Sequence, residues 1–114
     1  MNKPPSHWTL LEYVAQDGTR PVVVFIAGLD RKHKAQAYAL IQMLRELGSN
    51  LLPPHAKKVE TGLYELRGHQ VRIFYVFRPG KVIVLLDGIL KKSDEIPEGT
   101  LQRMRRLRKE IEGG

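Results

Sequence analysis

Leu63-Tyr64-Glu65-Leu66-Arg67, Gly68-His69-Gln70, Val71-Arg72-Ile73-Phe74-Tyr75-Val76-Phe77-Arg78, Pro79-Gly80 and Lys81-Val82-Ile83-Val84-Leu85-Leu86-Asp87-Gly88-Ile89-Leu90 run consecutively through the chain. β-Branched and aromatic residues fill the three long runs, and such side chains fit a pleated, half-buried surface. Turn residues separate them, so the stretch predicts strands over about 63–67, 71–78 and 81–90, joined by hairpins at Gly68-His69 and Pro79-Gly80.

If both hairpins are regular, Glu65 lies opposite Arg72, and Arg72 opposite Asp87. Side chains alternate between the faces of a strand. One face then carries Tyr64, Leu66, Val71, Ile73, Tyr75, Phe77, Val82, Val84 and Leu86, all apolar or aromatic, and helices are expected there. The other carries Leu63, Glu65, Arg67, Arg72, Phe74, Val76, Ile83, Leu85 and Asp87. Its charges gather at one end as a Glu65–Arg72–Asp87 ladder beside Arg67, with Lys91-Lys92 leaving the last strand nearby. Cross-strand pairing of opposite charges stabilises sheets, so a structural role for this ladder stands beside an anion-binding one.

Upstream, Trp8–Val14 reads as a strand ending at the Asp17-Gly18 turn. Val22, Phe25, Ile26 and Leu29 fall at i, i+3, i+4 and i+7, which predicts a short helix with Pro21 in its first turn and Thr19 as its cap. Asp30 caps a second helix whose stripe is Ala37, Leu40, Ile41, Leu44 and Leu47, closed by Gly48. Residues 49–62, with Pro53-Pro54 and Lys57-Lys58, read as an irregular basic connector. A last helix is expected over 97–112, from Pro97 to Gly113-Gly114. The order β-α-α-β-β-β-α describes one α+β domain over residues 1–114. It has a small, mainly antiparallel sheet, two N-terminal helices on one face and a C-terminal helix.

The chain has 114 residues, 42% of them apolar, and a formal net charge of +7. That is one domain's length with enough apolar material for a core. It contains no Cys, which excludes a disulfide scaffold, a thiolate metal site and a Cys nucleophile. His7 and His33 lack a second ligand at metal-binding spacing, so neither a metal nor another cofactor is expected. No apolar run approaches a membrane span and no signal-peptide core follows Met1, so the expectation is a soluble cytoplasmic protein without a membrane partner. Seven of the basic residues lie between Lys91 and Lys109, against three acidic ones. Such a local positive field suits a phosphate-bearing partner.

The Leu63–Arg67 pattern, the Arg-led aromatic strand from Arg72, and the apolar strand ending in Lys91-Lys92 before Pro97 resemble the HigB-like, phage-derived branch of the RelE/ParE toxin superfamily. Pro21-Val22, Phe25-Ile26, Leu29 and the second helix ending at Gly48 match as well. The resemblance implies a RelE-like fold and the toxin of a type II toxin–antitoxin pair. It implies a ribosome-dependent mRNA endoribonuclease, restrained by a cognate helix-turn-helix antitoxin and touching operator DNA only through it. Relatives that poison DNA gyrase, and a phage accessory protein that binds nucleic acid without catalysis, are the alternatives.

Metal-free RNA cleavage lets a ribose 2′-hydroxyl attack the adjacent phosphate. It needs a proton acceptor, a proton donor for the leaving oxygen, and positive charge around the phosphorane. Arg67 and Arg72 can make bidentate contacts to phosphate oxygens. Lys91 and Lys92 can stabilise charge or assist the leaving group, while His69 and Glu65 are candidate bases. Lys57, Lys58, Arg103 and Arg106 are candidate RNA-binding residues, and His55 lies in the same basic connector. The sequence departs from the better-known nucleases of the superfamily at Glu65, where they tend to carry a basic residue. It also has no Tyr between Lys91-Lys92 and the last helix.

Overall fold

The computed structural model describes residues 8–91, 93 and 95–113. Strand β1 (Thr9–Glu12) is followed by helices α1 (Pro21–Ala27) and α2 (Arg31–Leu47) and a short 3-10 turn (Gly48–Asn50). Strands β2 (Ala56–Glu60), β3 (Leu63–Arg67), β4 (Val71–Arg78) and β5 (Val82–Leu90) lead to helix α3 (Glu98–Gly113). The sheet order is β1-β5-β4-β3-β2, with β1 parallel to β5 and every other pair antiparallel. This is the expected α+β fold, enlarged by β2, which falls inside the stretch read as a connector. Thr61-Gly62 turns β2 into β3, and Gly62 supplies the positive φ of 80°.

Valine favours strands, yet Pro21–Ala27 is helical because its i, i+4 stripe has a place to go. Val22 and Ile26 are buried against the sheet, while Val23 and Val24 stay exposed. Arg20 is the N-cap and makes no side-chain cap bond, so Thr19 does not cap this helix. Asp30 does cap α2, its Oδ1 accepting the His33 N–H at 2.8 Å. Gly48 ends α2 at φ 52°, and a Cβ there would sit 1.9 Å from the Trp8 indole nitrogen.

Two apolar layers sandwich the sheet. Leu66, Val71, Ile73, Tyr75, Ile83 and Leu85 pack beneath α1 and α2. Leu63, Phe74, Val76, Val84 and Leu86 pack beneath Met104 and Leu107 of α3. The register differs from expectation in both hairpins. The first turns at His69-Gln70, one residue later than read, so Glu65 faces Phe74 and Arg67 faces Arg72. A two-residue change of pairing keeps every side chain on its face.

The second hairpin uses three loop residues, with Gly80 and Lys81 both at positive φ, and pairs Arg78 with Val82. That one-residue change inverts Val82, Val84 and Leu86 to the α3 side and Ile83 and Leu85 to the α1–α2 side. A bulge at Leu86, between the Tyr75–Leu85 and Phe74–Asp87 pairs, then returns Asp87 to the face of Arg72.

Tyr75 stacks on Tyr64 and meets Phe77 edge-on in the first layer. Burial, with the neighbouring Tyr64 adding to it, pushes its phenol above the ordinary value of 10.0. Below that value both folded and unfolded chains keep the proton. Above it the unfolded chain ionises first, so stability falls as pH rises. One such group steepens the loss by about 1.4 kcal/mol per pH unit. Denaturant midpoints from pH 9 upward should therefore fall less steeply for Tyr75→Phe than for the parent. Parallel curves would rule this contribution out.

Candidate functional site

The charged end of the sheet centres on Glu65, which is 2% exposed. Its Oε1 lies 3.6 Å from Arg67 Nε, and its Oε2 lies 3.6 Å from both Arg72 Nε and Lys91 Nζ. Alternation along β3 places Glu65 and Arg67 on one face, and β4 brings Arg72 in diagonally from Glu65. Lys91 follows the last residue of β5, and its N–H is held by the Gln70 carbonyl at 2.9 Å. One carboxylate thus gathers three cations.

Their exposures differ. Arg72 is 5% exposed, and its Nη1 donates to the carbonyls of Gly68 and Val71 at 2.7 and 3.1 Å. Lys91 is equally buried. Loss of hydration lowers its ammonium's pKa first, the nearby guanidinium groups lower it further, and Glu65 offsets part of this. The Arg67 side chain is 23% exposed, so of these three cations it alone reaches solvent appreciably. Burial thus separates Arg67 from Arg72, which the sequence pairs as two equivalent phosphate contacts.

The remaining predicted residues scatter. Lys57 is the cross-strand partner of Glu65 and is exposed; Lys58, opposite Tyr64, is exposed on the other face. His69 is exposed in the β3–β4 loop, and His55 is exposed just before β2. Lys92 lies outside the described residues. Arg106 is exposed on α3, whereas Arg103 forms an ion pair with buried Asp87. Arg105 and Arg108 clamp Glu60, and Arg108 also donates to the Thr61 carbonyl at 2.9 Å. Much of the basic run of α3 therefore ties the helix to the sheet. Among the described residues no three His, Asp or Glu side chains come together as metal ligands, and no helix is long and apolar enough to cross a membrane.

A cleft of about 470 Å³ opens beside Arg67, between α2, the turn before β2 and the β3–β4 loop. Polar bonds brace its walls. His33 Nε2 meets Gln70 Oε1 at 2.9 Å, Val71 N donates to Gln36 Oε1 at 3.2 Å, and Arg67 N donates to the His55 carbonyl at 2.7 Å. Neither Gln36 nor Gln70 stands out in the sequence. The only signal for Gln36 is its place one residue before the buried stripe of α2.

No curated protein matches this sequence. Among solved structures, the chain is similar to one from the toxin–antitoxin complex RelBE2 of Mycobacterium tuberculosis, with 13% identity and a TM-score of 0.56. That match covers 75% of this chain and 99% of the other. It is also similar to the isolated Escherichia coli RelE toxin, at 13% identity and a TM-score of 0.53, covering 88% of this chain and 98% of that one. At such identity the likeness speaks for the fold, which is that of RelE. The family described as phage-derived protein Gp49-like (DUF891) matches residues 24–109, from within α1 to near the end of α3. Because that match takes in well over half of the sequence and the whole charged end of the sheet, the chain belongs to the phage-derived Gp49-like family.

Proposed function

We propose that this protein is the toxin of a type II toxin–antitoxin pair, of the HigB-like kind, and cuts mRNA on the ribosome without a metal. The observation that carries this reading is the gathering of Arg67, Arg72 and Lys91 at 3.6 Å from Glu65, with exposed Lys57 on the neighbouring strand. Three cations around one carboxylate leave a positive excess, and Arg67 presents it at the surface. A bound phosphate meets Arg67 directly, while Arg72 and Lys91 act through their field from behind. Glu65, closed to solvent, holds these cations in place and does not serve as the base. His69 and His55 stand at the rim, where a 2′-hydroxyl proton can be taken up. Lys57, Lys58 and Arg106 hold flanking phosphates. The RelBE2 match, itself a toxin–antitoxin complex, supports an antitoxin as partner.

Induced expression should stop translation and leave transcripts cut within codons when their 5′ ends are mapped. Arg67→Ala should slow cleavage by about 100-fold, the order lost when one charge-stabilising donor is removed. The folded protein should be preserved. Full cleavage by that variant would remove Arg67 from the site. Altered DNA supercoiling with intact transcripts would point instead to gyrase.

The burial of Arg72 and Lys91 favours one second reading, a nucleic-acid-binding protein without catalysis. It would bind RNA with a steep salt dependence and leave transcripts whole on the ribosome.

A further inference from the structure

We propose that the cleft beside Arg67 is a binding site for a single ribonucleotide of an RNA strand. Its floor is apolar, built from Ala39 and Met43 of α2 with Pro54 facing them. Its polar rim carries Gln36, His55, Arg67 and His69, and among the described residues no acidic side chain lines it. A flat, weakly polar ring on an apolar floor, with an anion at a basic rim, is the chemistry of a nucleotide. The volume of about 470 Å³ falls in the range of small-ligand sites.

The walls are built in advance by the His33–Gln70, Gln36–Val71 and Arg67–His55 bonds, so little ordering is needed on binding. Gln36 Oε1 is held by the Val71 N–H, which leaves the amide NH2 as the group this side chain offers a base edge. Gly68 closes the wall so tightly that a Cβ there would lie 2.6 Å from Gln36 Oε1. Arg67 borders both this cleft and the Glu65 cluster. The Arg67 guanidinium lies on the Glu65 face of β3 and the cleft on the α2 face, so a base seated in the cleft belongs to a nucleotide beside the one whose phosphate Arg67 meets. Its role as a neighbouring-nucleotide subsite rests on the ribonuclease reading, whereas nucleotide binding itself does not.

The test is NMR titration of the intact chain with AMP, GMP, CMP and UMP, with inorganic phosphate, and with a short single-stranded RNA. At least one nucleotide should saturate and move the amide signals of Met43, His55 and Gly68, with phosphate weaker by about tenfold, the factor for 1.4 kcal/mol of base contact. The RNA should bind about tenfold more tightly than that nucleotide, because Arg67 and Lys57 gain phosphates. Ala39→Trp, at an exposed helix position, should fill the floor and abolish nucleotide binding without unfolding the protein.

Phosphate binding as well as any nucleotide, or signals moving only around Lys57 and Arg103, would overturn the site. Equal affinity for RNA and free nucleotide would overturn its assignment to a strand. Saturable binding in the cleft alongside intact transcripts would keep the site and remove the nuclease reading. Cleavage without any binding here would do the reverse.

Discussion

Glu65→Ala should cost this domain about 3–5 kcal/mol, the range for breaking a buried ion pair by removing one partner. The carboxylate is 2% exposed and shared by three cations, so its loss leaves their positive charges facing one another in a dry part of the sheet. Glu65→Gln keeps the shape and loses the charge, and it should fall by a similar amount. Replacing Glu65, Arg72 and Lys91 together by Leu, Met and Met should recover most of the loss, since apolar groups of similar volume often substitute for a buried ionic cluster. Denaturant midpoints of the three variants separate an electrostatic cause from a cavity. If Glu65→Ala stayed within about 1 kcal/mol of the parent, the range of an exposed pair, the cluster would be solvated and open. The same triple variant should lose most of its activity, because Arg67 then meets the phosphate without the field of Arg72 and Lys91 behind it.

The two hairpins show how far local sequence reaches. Strand location was legible because β4 and β5 are long runs of β-branched and aromatic residues, and α1 was legible from the spacing of Val22 and Ile26 despite its valines. Pairing was not. Gly68 looks like the turn, but its N–H closes on the Val71 carbonyl and the chain reverses at His69-Gln70. The bulge at Leu86 has no local signature. It is set by the need to bury Leu86 under α3 while keeping Asp87 near Arg103, a tertiary demand. β2 was missed because Pro53-Pro54 and Lys57-Lys58 suggest a loop. Thr61-Gly62 before Leu63 was the available hairpin signal.

The site was legible in outline for the same reason. Alternation keeps Glu65, Arg67 and Arg72 on one face whatever the two-residue slip, so their company follows from sequence alone, whereas Asp87 rejoins them only through the bulge at Leu86. Their exposure does not follow. Whether a guanidinium at a strand end meets solvent depends on the loop carbonyls that fold over it, and Arg72 is wrapped by those of Gly68, His69 and Val71. The ion pairs of Arg103, Arg105 and Arg108 went unread for a related reason. Their acidic partners, Glu60 and Asp87, lie on strands whose existence or register was unread.

Phe74→Ala should be the other severe change, destabilising by about 3–5 kcal/mol, as large-to-small substitutions of buried aromatics do. Phe74 is fully buried on β4, under Met104 and Leu107, with Leu63 and Leu86 beside it. Its removal opens a cavity directly beneath α3. The helix is also clamped at its edge by Arg105 and Arg108 on Glu60. Those pairs are at least partly exposed and are screened by water, so Arg105→Ala should leave stability nearly unchanged. The comparison decides what docks α3: the apolar layer or the ring of charges. Proteolysis within α3 and hydrogen exchange of its amides should accelerate in Phe74→Ala and stay nearly unchanged in Arg105→Ala. The opposite ranking would mean that the arginines hold the helix. Phosphate-rich partners competing for those arginines would then loosen α3, whereas a helix held by Phe74, Met104 and Leu107 stays seated while its exposed cations engage RNA.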